Sequence, residues 1–238
     1  MPQLGILLCG EQDQDTLDAF GPYADAFIAM LDNCQPDFWR YKVWHCYQNE
    51  IPSIPNENDA WIITGSRLGV YEGHPWIEPL SAFVRNVAID GKIPLAGICF
   101  GHQLIHQALG GTVRKSEKGW GAGAYPVSIY KDFAGLKAGE SCKVLAIHQD
   151  QVIDKAPGFE VLGGSAFCPV AITTNGTNIL TMQPHPEFEN KEFSFICGRN
   201  REKIGEERTD GILASLTEPD DRQTVRHELN RFLGACRT

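Results

Sequence analysis

Apolar positions in the first hundred residues alternate between two textures. Short unbroken runs, such as Ile6-Leu7-Leu8 within 3–9, recur at 38–47, 60–64 and 93–98 and read as buried strands. Between them, Tyr23, Ala24, Phe27, Ile28 and Leu31 fall at helical spacing within 20–31, and 76–89 reads as a second helix. Strands alternating with helices of this length predict a parallel sheet covered on both faces, with functional groups at the strand C-termini. After Gly110-Gly111 the texture changes. Shorter β-type runs follow at 112–114, 124–130, 143–147, 160–162, 170–174 and 179–182, and Asn175-Gly176 is a hairpin signal between the last two. That half is expected to be antiparallel or mixed. From 189 onward the chain is charged and helical, with Thr217-Glu218-Pro219 dividing two helices. With no repeat, low-complexity stretch or Pro-rich linker, 1–238 reads as a single domain: a core of about 3–189 and a helical tail of about 190–238.

The run that ends at Ile98 leads straight into chemistry. Gly97-Ile98-Cys99-Phe100-Gly101 places a cysteine between two glycines at a strand end, and a helical pattern (Gln103, Leu104, Ile105, Ala108, Leu109) follows at once. This is the layout of a nucleophile elbow with sulfur in place of the serine oxygen. The turn is so sharp that side chains at its base must be nearly absent, which Gly97 and Gly101 provide. At a helix N-terminus the thiol faces unpaired N–H groups and the positive end of the macrodipole, both of which favour thiolate over thiol. Buried packing is the ordinary fate of a cysteine, and the other seven are read that way.

Composition narrows the setting. A chain that is 42% hydrophobic can bury a sizeable α/β core, and a net charge of -9 argues against nonspecific binding to nucleic acid or to an anionic membrane. No apolar run approaches the roughly eighteen residues of a membrane span, and Met1-Pro2-Gln3 leads directly into a strand without a basic-then-apolar leader. The eight cysteines form no Cys-x-x-Cys pair and no secreted framework, so free thiols and a cytoplasmic location are expected.

A thiolate nucleophile needs a base, and the base needs something to orient it. Gln183-Pro184-His185-Pro186-Glu187-Phe188, just after a predicted strand, supplies both. In extended backbone His185 and Glu187 face the same side, and the flanking prolines restrict the chain around the imidazole. Taken alone, His-Pro-Glu is most often a surface loop; downstream of a glycine-flanked cysteine it is the expected other half of a triad. Together, Gly-Ile-Cys-Phe-Gly-His-Gln and Gln-Pro-His-Pro-Glu-Phe resemble, in order and spacing, the signatures of the class I glutamine amidotransferases, the Cys-His-Glu family. A third segment, Ile62-Ile63-Thr64-Gly65-Ser66-Arg67-Leu68-Gly69-Val70-Tyr71, is similar to that family's glycine-rich oxyanion loop, with Ser66 where many members carry a second glycine.

The resemblance implies a flavodoxin-like three-layer α/β sandwich: a central mostly parallel sheet, additional antiparallel strands and a helical C-terminal tail. It implies that Cys99 attacks the side-chain amide of glutamine or a related γ-glutamyl amide to form a thioester, that His185 moves the protons and that Glu187 orients it. Gly65, Ser66 and Phe100 would form the oxyanion hole through backbone N–H groups. Gln103 matches the glutamine-binding position, and Gly119-Trp120-Gly121 matches more loosely a segment whose backbone groups meet the substrate's α-carboxylate. His148-Gln149-Asp150 falls where relatives carry a site-lining loop. His102 and His106 have a zinc-compatible i, i+4 spacing without a third ligand, so no metal and no cofactor are expected. The Lys118–Gly123 and His148–Val152 segments resemble stand-alone, GMP-synthase-like members, a subgroup that includes γ-glutamyl peptidases. Three readings remain open at this level. The chain is a free-standing hydrolase of glutamine or a γ-glutamyl compound, a glutaminase subunit whose partner is a separate synthase, or a non-catalytic regulatory relative. The expected partner is a small-molecule substrate, with neither nucleic acid nor membrane involved.

Overall fold

A computed structural model of the chain describes residues 1–235. The first half runs β1 (Gln3–Leu8), α1 (Gln14–Phe20), α2 (Tyr23–Cys34), β2 (Arg40–His45), β3 (Ala60–Ile63), α3 (Ile77–Asp90), β4 (Leu95–Ile98) and α4 (Phe100–Ala108). The second half adds β5 (Thr112–Lys115), β6 (Gly121–Ile129), β7 (Ser141–His148), β8 (Asp150–Asp154), β9 (Glu160–Gly164), β10 (Ile172–Thr174) and β11 (Ile179–Met182). The helices α5 (Asn190–Arg199), α6 (Arg201–Ile204), α7 (Glu206–Ser215) and α8 (Arg222–Gly234) complete it.

Nine strands form one sheet in the order β2-β1-β3-β4-β11-β10-β9-β6-β7. From β2 to β11 neighbouring strands are parallel, and from β11 to β7 they are antiparallel, as the change of texture after Gly110-Gly111 predicts. Successive side chains point to opposite faces, so each central strand feeds two cores. Leu4, Ile6 and Leu8 pack with Phe27, Met30 and Leu31 of α2 and with Val225, Leu229 and Leu233 of α8. Leu7, Trp61 and Ile63 turn the other way, onto Leu80, Phe83 and Val84 of α3 and Leu104 and Ile105 of α4. The result is a three-layer sandwich.

Register decides where the chemistry converges. Ile98 pairs with Met182 of β11, and Gly97 with Ile63 of β3. These strands are parallel, so they end at one edge, and the next residues of each (Cys99, Gln183 and Thr64) leave it side by side.

Three expectations change. The helical pattern over 20–31 is the end of α1 and most of α2, broken at Gly21, whose φ of 85° closes α1, and at Pro22. The tail before Thr217 is three helices rather than one, interrupted at Asn200 and at Gly205, whose φ is 101°. β8 is a strand the pattern did not predict; it pairs only with β5, in a separate two-stranded sheet. The Asn175-Gly176 hairpin forms between β10 and β11, and Thr217-Glu218-Pro219 separates α7 from α8. Seven cysteines are free thiols, while Cys236 and the end of the expected tail lie outside the described residues. Among the described residues no helix is long and apolar enough to cross a membrane.

Candidate active site

Cys99 sits between β4 and α4 with φ 51° and ψ −99°, a left-handed conformation unusual for a residue with a side chain. Such strain costs on the order of 1–3 kcal/mol and persists only where the surroundings enforce it. Here the Cys99 N–H donates to the Met182 carbonyl (2.8 Å), and the Cys99 carbonyl accepts from the Gln103 N–H (3.0 Å). The flanking glycines are required by close approach. A Cβ on Gly101 would lie 2.4 Å from the Ile63 carbonyl oxygen, and one on Gly97 2.6 Å from the Ile105 side chain. As the first residue of α4, Phe100 has an N–H with no partner inside the helix.

His185 follows β11 and is anchored by its N–H to the Leu145 carbonyl of β7 at 2.8 Å. Its Nδ1 lies 2.6 Å from Glu187 Oε1 and its ring stacks on Phe188 at 4.8 Å, with the Cys99 sulfur near enough to favour the charged ring. Burial disfavours the charged ring. The Glu187 carboxylate and the Cys99 sulfur on either side outweigh that, so the His185 pKa lies well above its usual value. Cys99, His185 and Glu187 thus form a buried line of thiol, imidazole and carboxylate.

A fourth group completes the line. The Tyr23 hydroxyl donates to the same Glu187 Oε1, at 2.8 Å. Burial and then the neighbouring carboxylate push this phenol well above its usual pKa, so it stays a donor. The Gly65-Ser66 loop passes over these groups. A Cβ on Gly65 would meet the Tyr23 hydroxyl at 2.7 Å and His185 Cε1 at 3.0 Å, so only glycine fits this path. Ser66 keeps its side chain within its own loop, its Oγ accepting from the Leu68 N–H at 3.2 Å.

Residues 43–196 match the family model described as glutamine amidotransferase class-I. The chain belongs to the class I glutamine amidotransferase family. It is 28% identical over 228 residues to a glutamine amidotransferase-like protein of Schizosaccharomyces pombe, covering 90% of this chain and 92% of that protein. It is 26% identical over 218 residues to gamma-glutamyl peptidase 5 of Arabidopsis thaliana, covering 86% and 85%. The crystal structure of a glutamine amidotransferase from Thermotoga maritima superposes with a TM-score of 0.76 at 16% identity, over 99% of this chain and all of that one, and shows the same flavodoxin-like fold.

In this family member Cys99, His185 and Gly65 open onto a cavity of about 1010 Å3, at the upper end of the range for small-molecule sites. Gln103 and Trp120 lie on its wall, whereas Gly121 packs under Phe167, whose ring would be 2.3 Å from an added Cβ. His148 also lines the cavity. Its Nδ1 donates to the Asp150 carbonyl (3.1 Å), its Nε2 accepts from Tyr125 (3.1 Å), and burial lowers its pKa to about 4. Away from the sulfur the cavity runs to a charged end, where Asp13 pairs with both Arg67 and Arg199 and Lys203 completes the wall. His102 and His106 point elsewhere. His102 Nδ1 bonds Thr181, His106 Nε2 bonds Thr173, and the two rings meet edge to face at 4.9 Å beneath the elbow helix.

Two contacts in the site have no counterpart in the sequence reading. Tyr23 belongs to the apolar stripe of α2 and carries no motif. Gln183 lies inside the His-Pro-Glu segment but has no assigned role there; its Nε2 reaches Cys99 Sγ at 3.4 Å.

Proposed function

We propose that the chain is a self-sufficient enzyme that hydrolyses the side-chain amide of glutamine or of a γ-glutamyl compound through a thioester on Cys99. The observation that carries this is the buried Cys99–His185–Glu187 line at the convergent ends of β4 and β11. The Cys99 thiolate attacks the γ-carbonyl carbon, and the carbonyl π pair moves onto oxygen. The N–H groups of Phe100 and of Gly65-Ser66 are the donors proposed to meet that oxyanion. Protonated His185 gives its proton to the departing nitrogen as the C–N bond breaks, leaving the thioester. Neutral His185 then takes a proton from water as its oxygen attacks; collapse expels the sulfur and releases glutamate. Glu187, held by Tyr23, keeps Nδ1 protonated and the ring aligned. The raised pKa of His185 supports the first step, because the proton needed by the leaving group is already in place.

The alignments cover 92% of the Schizosaccharomyces pombe protein and 85% of the Arabidopsis thaliana peptidase, which supports reading 1–238 as one amidotransferase domain; turnover by the isolated protein separates a free-standing enzyme from a synthase subunit. A cytoplasmic location is supported by the seven free thiols. The test is release of glutamate, and of ammonia or amine, from glutamine, γ-glutamyl dipeptides and γ-glutamyl amines, with Cys99→Ala as control. Turnover abolished by Cys99→Ala, with the fold retained, supports the reading. A folded wild-type protein silent on all of these overturns self-sufficiency and points to a synthase partner.

A further inference from the structure

The side chain of Gln183 is fully buried and bonded at both ends. Its Nε2 lies 3.4 Å from Cys99 Sγ, and its Oε1 accepts from Gln103 Nε2 at 3.1 Å. Gln103 Nε2 also donates to the main-chain carbonyl of Asp150, at 2.9 Å. A carbonyl can only accept, so the direction of the whole chain is set from that end. Gln103 presents its NH2 to Asp150 and to Gln183, Gln183 presents its oxygen to Gln103, and the Gln183 NH2 is left for the sulfur. The nucleophile therefore faces a proton donor rather than a lone pair.

The placement follows from the sheet. Met182 pairs in register with Ile98 and accepts the Cys99 N–H, so the residues after the two strands, Gln183 and Cys99, are neighbours by construction. The Gln183 N–H is anchored to the Ala171 carbonyl of the loop before β10, at 2.8 Å. Resting on the thioester reading above, we propose that Gln183 is a second donor to the Cys99 thiolate and that, by bracing Gln103, it fixes nucleophile and substrate-side amide as one unit.

The two donors have different duties. His185 must release its proton to the leaving nitrogen and regain one from water, whereas an amide N–H keeps its hydrogen throughout. When the C–S bond breaks in the second half-reaction and its electron pair returns to sulfur, Gln183 is still a donor. The other titratable groups interacting with Cys99 are Tyr23 from α2, Tyr125 from β6 and Cys168 from the β9–β10 connection. Burial pushes both phenols well up and Cys168 to about 12, so these three stay neutral near pH 7 and His185 supplies the charge.

The experiment is the pH dependence of Cys99 alkylation by iodoacetamide, read by mass spectrometry of the Cys99 peptide so that the other thiols do not interfere. It needs no substrate, so its outcome is independent of whether the hydrolytic reading survives. Gln183→Met fills the same space without a donor. Gln183→Glu keeps an acceptor for Gln103 but sets a carboxyl oxygen against the sulfur, and it serves if the first variant does not fold. In either folded variant the midpoint of alkylation is expected to rise by about one pH unit relative to the parent. Below the midpoint the rate at fixed pH then falls about tenfold. Where turnover is measurable, kcat falls more than KM changes. A profile that superimposes on the parent in a variant with parental circular dichroism overturns the proposal and leaves Gln183 as packing alone.

Discussion

Tyr23 and His185 share one oxygen of Glu187, at 2.8 and 2.6 Å, so the carboxylate beside the imidazole is itself held from α2. A hydrogen bond to a buried carboxylate contributes about 1.5–3 kcal/mol, and its loss frees Glu187 to rotate away from the imidazole. Tyr23→Phe is therefore expected to lower kcat by roughly tenfold or more with little change in KM, because the phenol touches the orienting group and not the sulfur. Steady-state kinetics on whichever γ-glutamyl amide is turned over checks this; an unchanged kcat would mean that His185 and the backbone hold Glu187 without help. Tyr23 also shows what a linear sequence conceals. Cys99 and His185 are legible because the backbone they need is written next to them, as glycine and proline. Tyr23 and Glu187 are 164 positions apart, and Gln183 and Cys99 are 84 apart, so only the packing of α2 on the sheet and the register of β4 with β11 bring them together.

Among the elements, β4 and α4 are legible because their pattern is dense and their junction is sterically demanding. The missed elements have the opposite character. The helix α1, Gln14–Phe20, buries only Thr16 and so shows no apolar stripe. The strand β8, Asp150–Asp154, is mostly polar and pairs only at the margin with β5. In the tail, Gly205 interrupts a pattern that charge alone made look continuous. The steric reading of the elbow makes a paired prediction. Gly101→Ala drives a Cβ to 2.4 Å from the Ile63 carbonyl oxygen, whereas Gly211→Ala in α7 meets nothing within 4 Å at an ordinary helical φ. Denaturant unfolding is expected to show a loss of about 2–3 kcal/mol for the first and a gain of about 0.5–1 kcal/mol for the second. Equal effects would mean that the elbow yields more readily than its contacts indicate.

At the scale of the whole molecule, the buried titratable groups set how stability varies with pH. Burial lowers His102 well below its usual value and lowers His106 and His148 to about 4. Between about pH 4 and 6.5 the unfolded chain binds protons at these imidazoles that the folded chain does not, so stability rises with pH. Burial, with Glu187 adding to it, raises Glu192 to about 7, which opposes that trend with one group against three. Above about pH 6.5 the sign reverses. His185, held protonated by Glu187 and Cys99 against its burial, and Glu192 both keep protons that the unfolded chain has released, so stability declines. Thermal midpoints measured from pH 4 to 9 are expected to peak near about pH 6.5; a steady rise to pH 9 would contradict a protonated His185.

A covalent intermediate is read most directly from the intact mass of protein quenched in acid milliseconds after mixing with a γ-glutamyl amide that it turns over. The expected result is a transient gain of one glutamyl group, mapped by peptide mass to Cys99 and absent in Cys99→Ala. Turnover with no such adduct at any quench time, or an adduct on any other residue, would contradict a thioester on Cys99.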